Sequence, residues 1–253
     1  MTTADDLYAK ELRKVLRHRL RGTMTPIENV LYFPNNIDVR ICPKNGMSSL
    51  KWAMLYVYGV PQDQSDRVSL TMGTKVWRME DIKKHGHKPD LPFRKDSYKT
   101  CVSRDPIKRF MSACEYIKTE YASSAEMLST SKSLTVEQLE RLSRLSDVNP
   151  LPDSLDDIID GVWTGEIHNS HFFTQTYFHG NRGQYNKIWS MSDFKRMMEW
   201  LRTETKCSRK IDKIHSNYTS GQWFGGVELL TPDQKKRIMR IYEEDYDYGW
   251  TED

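Results

Sequence analysis

A polar loop at residues 43–49 has the composition of an anion-binding turn. It reads Pro-Lys-Asn-Gly-Met-Ser-Ser and lies between an apolar, strand-like run and a helix-compatible run. Gly46 lets the backbone approach a ligand closely, and Lys44 supplies a positive point charge. Ser48 and Ser49 add hydroxyl donors at the start of the helix, where backbone N–H groups also favour an anion. The loop is therefore predicted to bind phosphate or sulfate, and the alternative is an ordinary polar turn.

The same loop lacks the features of an ATP site that works with Mg²⁺. The GxxxxGK[ST] pattern is absent, and no Asp-rich strand end that could hold the metal ion is evident. Elsewhere in the sequence, no set of His, Cys and carboxylate residues has the spacing of metal ligands. We therefore expect a phosphate or sulfate site that works without a metal.

Strands and helices alternate along the chain. Strands are predicted at residues 29–33, 38–42, 98–102 and 186–189. Helices are predicted at residues 49–59, from Pro106, from Ser154, across Phe194 to Leu201, and after the N-cap Thr231. This alternation predicts an α/β fold, a single domain over residues 1–253 with a central, mostly parallel sheet flanked by helices. We also expect an amphipathic N-terminal helix within 1–22 and a helical or loop insertion at 120–150.

A second motif follows the third predicted strand. Residues 104–112 read Arg-Asp-Pro-Ile-Lys-Arg-Phe-Met-Ser, and residues 43–51 read Pro-Lys-Asn-Gly-Met-Ser-Ser-Leu-Lys. In this order, and each at a strand-to-helix junction, they resemble the two signatures of sulfotransferases that use 3′-phosphoadenylyl sulfate (PAPS) as donor. The first motif is similar to that of the carbohydrate branch. The resemblance implies a P-loop-like nucleotide-binding core.

The resemblance also implies which residues hold the donor. In the family, the first loop holds the 5′-phosphosulfate, and the first Arg and the Ser of the second motif hold the 3′-phosphate. Residues 216–223 look like the family's late donor-covering loop, although the Arg-Lys-Gly of the cytosolic branch is missing there, so a mobile lid is expected. The predicted donor-binding residues are Lys44, Asn45, Gly46, Met47, Ser48, Ser49, Arg104, Ser112, Ser216 and Asn217.

Sulfuryl transfer needs charge stabilisation and a base that takes the proton of the acceptor. Lys44 is expected to stabilise the charge that grows on the bridging oxygen of PAPS as the desulfated product, PAP, leaves. Histidine is the commonest base, and the family usually places it shortly before the 3′-phosphate strand. His87 is therefore the first candidate and His85 the second, because the uronyl 2-O-sulfotransferase branch has His-Gly-His there. Metal binding or an exposed turn is the alternative interpretation of this pair.

A second pair of histidines, His168 and His171, follows Glu166. The stretch from His171 to Gln175 resembles an element that lines the acceptor cleft in the carbohydrate branch. A buried core histidine beside two phenylalanines is the competing interpretation. His171 is therefore the third candidate for the base.

The small net charge argues against a protein that binds nucleic acid over most of its surface. The 253 residues include 38 basic and 35 acidic side chains, which leaves a net charge of +3. No apolar run is long enough for a signal peptide or a membrane span, and the four cysteines show no pairing pattern. Because animal members of the carbohydrate branch have a membrane anchor and luminal disulfides, we expect a cytoplasmic enzyme of bacterial or viral type.

The predicted activity is transfer of a sulfuryl group from PAPS to a hydroxyl acceptor, a glycan such as an oligosaccharide or polysaccharide. No nucleic-acid partner and no metal are expected. One alternative is a Mg²⁺-dependent phosphoryl transferase of related fold. Another is a non-catalytic polyanion-binding module, because residues 75–109 carry eleven basic and five acidic side chains.

Overall fold

The computed structural model describes residues 30–59, 93–130, 151–167, 169–211 and 223–251, and for 120–130 it describes the backbone alone. These residues form four strands and seven α-helices. The strands are β1 (Val30–Phe33), β2 (Ile37–Arg40), β3 (Tyr98–Ser103) and β4 (Lys187–Ser190). The helices are α1 (Met47–Val57), α2 (Pro106–Thr130), α3 (Leu155–Thr164), α4 (Gln175–His179), α5 (Phe194–Glu204), α6 (Pro232–Ile241) and α7 (Glu243–Asp247).

The strands form one sheet in the order β1-β2-β3-β4. β1 and β2 are antiparallel, whereas β2 with β3 and β3 with β4 are parallel. Between β1 and β2, Asn35 and Asn36 adopt left-handed backbone conformations with φ of 57° and 59°. Asparagine is one of the few residues that tolerate this conformation, so the chain reverses within a short turn. The predicted α/β fold with a mostly parallel sheet is confirmed.

The sheet is buried on both faces at the end of β3. Cys101 and Val102 are neighbours in β3, so their side chains point to opposite faces, and both are fully buried. One core cluster joins β1 and β2 to α1 and α5, with Phe33, Leu50 and Leu201 among its fully buried members. A second cluster joins α2, α3 and α6. Burial of each such side chain contributes about 1.5–3 kcal/mol, so these clusters hold the elements that carry the candidate site.

Capping residues determine where two of the helices start. The hydroxyl oxygen of Ser154 accepts a hydrogen bond from the N–H of Asp157 at the start of α3. Thr231 and Gln234 form a capping box at the start of α6, in which each side chain accepts from the other residue's backbone N–H. Both helix starts agree with the prediction from the sequence.

Other boundaries differ from the prediction by a few residues. α1 begins at Met47 rather than Ser49, because Gly46 takes a left-handed conformation that ends the loop there. α2 continues to Thr130, so its last residues occupy the first part of the predicted insertion at 120–150.

Several predicted features lie outside the described residues. They are the N-terminal helix within 1–22, His85, His87, His168, residues 131–150, Ser216 and Asn217. Within the described part of the chain, every helix is too short or too polar to cross a lipid bilayer.

Candidate active site

Two loops meet at the ends of the neighbouring parallel strands β2 and β3. Because these strands run in the same direction, the residues that follow them lie at the same edge of the sheet. Lys44 lies in the loop after β2, and Arg104 directly follows β3. Arg104 Nη1 donates a hydrogen bond of 2.8 Å to the backbone oxygen of Lys44, 60 residues earlier in the sequence. The structure thus brings together the two motifs that are far apart in the sequence.

The loop after β2 presents the N-terminus of α1 at this edge. Lys44 and Gly46 have positive φ angles of 68° and 74°, and Gly46 is the N-cap of α1. Gly46 has no side chain that could accept from the first-turn N–H groups, and no acidic residue lies in that turn. Those N–H groups, the Lys44 ammonium and the Arg104 guanidinium supply hydrogen-bond donors and positive charge. This chemistry fits a phosphate or sulfate group.

Glycine is required at position 46 for two reasons. The positive φ is one, because residues with a side chain rarely adopt it. The other is packing, since a Cβ at Gly46 would lie 2.5 Å from Cε2 of Phe194, the first residue of α5. The loop therefore rests directly on the core cluster that contains Phe194.

Asn45 holds the loop against β3. Its side chain is fully buried, and Nδ2 donates to the backbone oxygen of Val102 at 2.8 Å and to Oε1 of Gln175 at 2.6 Å. Val102 lies in β3, and Gln175 is the first residue of α4. The Asn45 side chain therefore points into the protein and fixes the position of the loop.

Gln175 is fully buried between the two motifs. Besides the bond from Asn45, Oε1 of Gln175 accepts from the backbone N–H of Arg104 at 2.9 Å. Its Nε2 donates to the backbone oxygens of Arg104 at 2.8 Å and of Trp250 at 2.9 Å. The family resemblance had suggested that this stretch lines an acceptor cleft, but the Gln175 side chain is instead enclosed within the protein.

Tyr116 connects Lys44 with His171. Lys44 Nζ lies 4.0 Å from the centroid of the Tyr116 ring, which is a cation–π distance. The His171 ring packs against the same Tyr116 ring, with centroids 4.8 Å apart and planes inclined by 33°. Sequence analysis did not find Tyr116. Its position four residues after Ser112, which puts both side chains on one face of α2, was the available signal.

Asn169 determines which ring nitrogen of His171 carries the proton. Its Oδ1 accepts from the backbone N–H of His171 at 2.9 Å and lies 2.7 Å from the Nδ1 atom of the same residue. An amide oxygen only accepts hydrogen bonds, so Nδ1 carries the proton and Nε2 is the basic nitrogen of the neutral ring. Asn169 is therefore a further functional residue that sequence analysis missed.

Arg109, the second Arg of the motif at 104–112, supports the backbone next to His171. It is fully buried and donates to the backbone oxygens of His171, at 3.2 Å, and of Phe173. Its Nη1 also lies 3.9 Å from Sγ of Cys42. Burial raises the pKa of the Cys42 thiol to about 12, although the positive charge of Arg109 opposes the rise. The thiol therefore stays protonated at neutral pH.

The buried carboxylate of Asp245 fixes the start of α4. It accepts from the backbone N–H groups of Gln175 at 2.9 Å and Thr176 at 2.8 Å, and from the Thr176 hydroxyl at 3.0 Å. Burial raises the pKa of Asp245, while Arg109 and these hydrogen bonds oppose the rise. Helix α7, which contains Asp245, is thereby joined to the site.

Glu115 links the segment that begins at Trp223 to α2, the helix that contains Ser112. Its carboxylate is buried and accepts from the backbone N–H groups of Trp223 at 3.0 Å and Phe224 at 2.7 Å. The residues at the start of the last described range are therefore held against α2, one residue before Tyr116.

The other predicted donor-binding residues lie on α1 and α2. Ser49 and Ser112 are buried, and Ser48 is half-buried. The side chain of Met47 packs against the core cluster, so this residue offers its backbone N–H to the sheet edge rather than its side chain.

His179 is a core histidine, although its sequence context resembles a polar loop. It is the last residue of α4, it is fully buried, and its Nε2 donates to the backbone oxygen of Val102 at 3.2 Å. Burial lowers the pKa of His179 to about 3, and the positive charge of Arg40 acts in the same direction. His179 is therefore neutral near pH 7.

The fold and this edge define an α/β protein whose strand-to-helix loops offer hydrogen-bond donors and positive charge, which suit an anionic group. The model of the sulfotransferase family matches residues 35–248, which include both motifs and most of the chain. The chain therefore belongs to the sulfotransferase family, whose general chemistry is transfer of a sulfuryl group. No curated protein and no solved structure matched the chain. Within the described ranges, no three His, Cys, Asp or Glu side chains are grouped to hold a metal ion.

Proposed function

We propose that this protein transfers the sulfuryl group of PAPS to a hydroxyl group of a glycan. Membership of the sulfotransferase family supports sulfuryl transfer in general. The observation that best supports PAPS as the donor is the hydrogen bond from Arg104 to the backbone oxygen of Lys44, because it brings the two motifs together. The carbohydrate-type first motif and the His-Gly-His at residues 85–87 support a glycan as the acceptor.

The donor is held at two ends in this proposal. The first-turn N–H groups of α1, at residues 47–49, bind the 5′-phosphosulfate together with Lys44, because a helix N-terminus and an ammonium group both stabilise an anion. Arg104 and Ser112 bind the 3′-phosphate, for which a guanidinium offers two parallel hydrogen bonds. On the family resemblance, we assign Ser216 and Asn217 to a segment that covers the bound donor.

The transfer step depends on Lys44. As the bond between sulfur and the bridging phosphate oxygen breaks, the acceptor oxygen bonds to sulfur and negative charge grows on the bridging oxygen. The Lys44 ammonium stabilises that charge without a metal. Its contact with the Tyr116 ring, 4.0 Å from the centroid, restricts where the ammonium lies before the donor binds. Such positioning is a large part of catalysis in this type of transfer.

A base accepts the proton of the acceptor hydroxyl group. We assign this role to His87, with His85 as the alternative, on the family's placement of its base before the 3′-phosphate strand. His171 is assigned to orient the acceptor, because its ring packs on Tyr116 beside Lys44 and Asn169 holds the tautomer with a basic Nε2.

Calorimetric titration with PAP tests the donor assignment. Replacing Arg104 with Ala should weaken PAP binding by about 2–4 kcal/mol, the scale for leaving a desolvated charge without its partner. The matched control is Lys108→Ala, which removes an exposed positive charge from the same motif and should change the affinity little. An unchanged dissociation constant in Arg104→Ala contradicts the assignment. Binding that requires Mg²⁺·ATP instead of PAP would point to phosphoryl transfer.

Incubation with PAPS labelled in its sulfur atom tests the acceptor. Glycans, lipids, phenols and peptides are offered in parallel, and label is expected in the glycans. Label in phenols or peptides alone contradicts a glycan acceptor, while family membership and the donor assignment would remain.

A further inference from the structure

The side-chain amide of Gln175 uses its whole hydrogen-bonding capacity inside the protein. Oε1 accepts from Asn45 Nδ2 at 2.6 Å and from the backbone N–H of Arg104 at 2.9 Å. Nε2 donates to the backbone oxygens of Arg104 at 2.8 Å and of Trp250 at 2.9 Å. A primary amide has two N–H donors and one oxygen with two lone pairs, so four bonds satisfy it completely. Its orientation is therefore fixed, because a flip would set donors against donors.

Two of the three partner residues belong to the two loops that the proposed function assigns to the two ends of the donor. Asn45 lies in the loop at 43–49, 130 residues before Gln175, and Arg104 follows β3, 71 residues before it. The amide contacts both the N–H and the C=O of Arg104, so it holds the backbone from which the guanidinium extends. A fully buried amide of this kind acts as a rigid link between the loops.

We propose that Gln175 is a positioning residue that sets the separation between the loop at 43–49 and Arg104, so that both charged ends of one donor molecule are bound together. This inference rests on the proposed function, because it needs that loop and Arg104 to bind the 5′ and 3′ groups of the same nucleotide. Two contacts to one rigid ligand reinforce each other only when their separation matches the ligand. Removing the link therefore weakens the binding of a ligand with both phosphates more than the binding of a ligand with one phosphate.

Helix α4 has an anchor that does not depend on the Gln175 amide. The Asp245 carboxylate accepts from the backbone N–H groups of Gln175 and Thr176 at 2.9 and 2.8 Å. A variant that loses only the amide therefore keeps the start of α4 in place. The effect of the amide on ligand selectivity can thus be separated from its effect on stability.

The test compares two ligands. PAP carries both a 5′- and a 3′-phosphate, whereas adenosine 5′-monophosphate carries the first alone. Dissociation constants for both are measured by calorimetry with the wild type, Gln175→Met and Gln175→Asn. Methionine keeps the length of the side chain without its hydrogen bonds. Asparagine keeps a neutral amide on a side chain one carbon shorter, which cannot span both loops, and it serves if the methionine variant does not fold.

The expected result is a loss of selectivity. PAP affinity should fall about tenfold or more in the Gln175 variants, while adenosine 5′-monophosphate affinity changes less than about threefold. The matched control is Thr176→Val, which removes a hydroxyl bond to Asp245 at the same helix start but touches neither loop. This control should lower the melting temperature and leave the ratio of the two dissociation constants unchanged.

The outcomes separate the inference from the proposed function. A wild type that prefers PAP and a Gln175 variant with the same preference overturn the positioning role alone. Equal losses for both ligands also overturn it, because they indicate a general structural role. A wild type that does not distinguish PAP from adenosine 5′-monophosphate overturns the donor assignment and with it this inference.

Discussion

Lys44 is the residue whose removal should separate catalysis from binding. Lys44→Ala is expected to lower kcat about 10²-fold or more while PAP affinity falls much less, because charge develops on the bridging oxygen only during transfer. Lys44→Arg should not restore the rate, since a planar guanidinium does not replace a compact ammonium. Steady-state kinetics and PAP titration on the same preparations give both quantities.

The interpretation of Lys44 depends on comparing these two measurements. Lys108→Ala serves as the control, because Lys108 is exposed and should affect neither quantity by much. Equal losses in affinity and in kcat for Lys44→Ala would make this residue a phosphate ligand rather than a stabiliser of the leaving oxygen.

The candidate histidines are distinguished by how the rate depends on pH. A base must be neutral to accept a proton, so the rate should rise with pH through its pKa. His87→Ala is expected to lose about 10²–10⁴-fold in kcat and to abolish this acid limb. His171→Ala should mainly raise the KM for the acceptor, because His171 packs on Tyr116 beside Lys44.

Profiles are recorded with saturating PAPS, and each variant is checked by thermal melting. Loss of the acid limb in His171→Ala and its retention in His87→Ala would reverse the two roles. If both variants keep the acid limb, Glu166 becomes the next candidate for the base.

Motif spacing could indicate Lys44 and Arg104, but it could not show how they are held. Both belong to short, ordered patterns of residues in the sequence. The Tyr116 ring and the Asn169 oxygen act through contacts that depend on the phase of α2 and on where the chain returns after α3. Helical spacing from Ser112 indicates the face of α2 on which Tyr116 lies, but no sequence pattern shows that its ring meets Lys44 and His171.

At the level of single elements, a substitution at Gly46 can be compared with the same substitution at Gly59. Gly46 and Gly59 lie at opposite ends of α1 and have φ of 74° and 73°. A Cβ at Gly59 meets no atom within 4 Å, whereas at Gly46 it would meet Phe194 at 2.5 Å. Gly59→Ala should therefore cost only the backbone strain, about 1–2 kcal/mol of unfolding free energy.

Gly46→Ala should cost more than Gly59→Ala, because the Phe194 ring must also move. It should weaken PAP binding as well, since the displaced loop carries the first-turn N–H groups of α1. Urea unfolding and PAP titration of both variants provide the comparison. Equal stabilities for the two variants, with unchanged PAP affinity, would show that the loop position is not set by Phe194.

Element starts were predictable where a capping residue carried the signal. Ser154 and Thr231 are such residues, and α3 and α6 begin where they indicate. The start of α1 was less predictable, because it depends on the left-handed conformation of Gly46, which glycine permits but does not require. The length of α2 was unpredictable for a related reason: a polar, Ser-rich sequence is compatible with both a helix and a loop.

For the whole molecule, His179 should make stability depend on pH. Its pKa is about 3 in the folded protein and about 6.5 in an unfolded chain. As the pH falls, the unfolded state therefore binds a proton at a higher pH than the folded state does. The stabilising effect is present above pH 6.5 and is lost as pH falls from there toward 3. The slope reaches about 1.4 kcal/mol per pH unit at most.

His179→Gln tests this dependence, because glutamine can still donate to the Val102 oxygen but cannot become charged. Urea unfolding at several pH values between 7 and 4.5 should show the wild type losing stability relative to this variant. Asp245, whose raised pKa acts in the opposite direction, is present in both proteins and cancels in the comparison. A constant difference between the two proteins would contradict a buried, neutral His179.

The sequence indicated the layers of the molecule but not its internal polar network. Alternating strands and helices are a local property, and they were enough for the α/β fold and the mostly parallel sheet. The network of Asn45, Gln175, Asp245 and Trp250 joins residues from three separate segments. Each is unremarkable in its own sequence context, so the sequence alone did not show that they meet.

The order in which the chain is synthesised has a consequence for this network. Gln175 bonds to Asn45, 130 residues earlier, and to Trp250, 75 residues later. Contacts this distant in sequence form late, because much chain entropy is lost before they stabilise anything. While the ribosome is still adding the residues up to Trp250, the Gln175 amide lacks one of its four partners, the backbone oxygen of Trp250. The buried amide therefore reaches its full set of four hydrogen bonds only after Trp250 has been added.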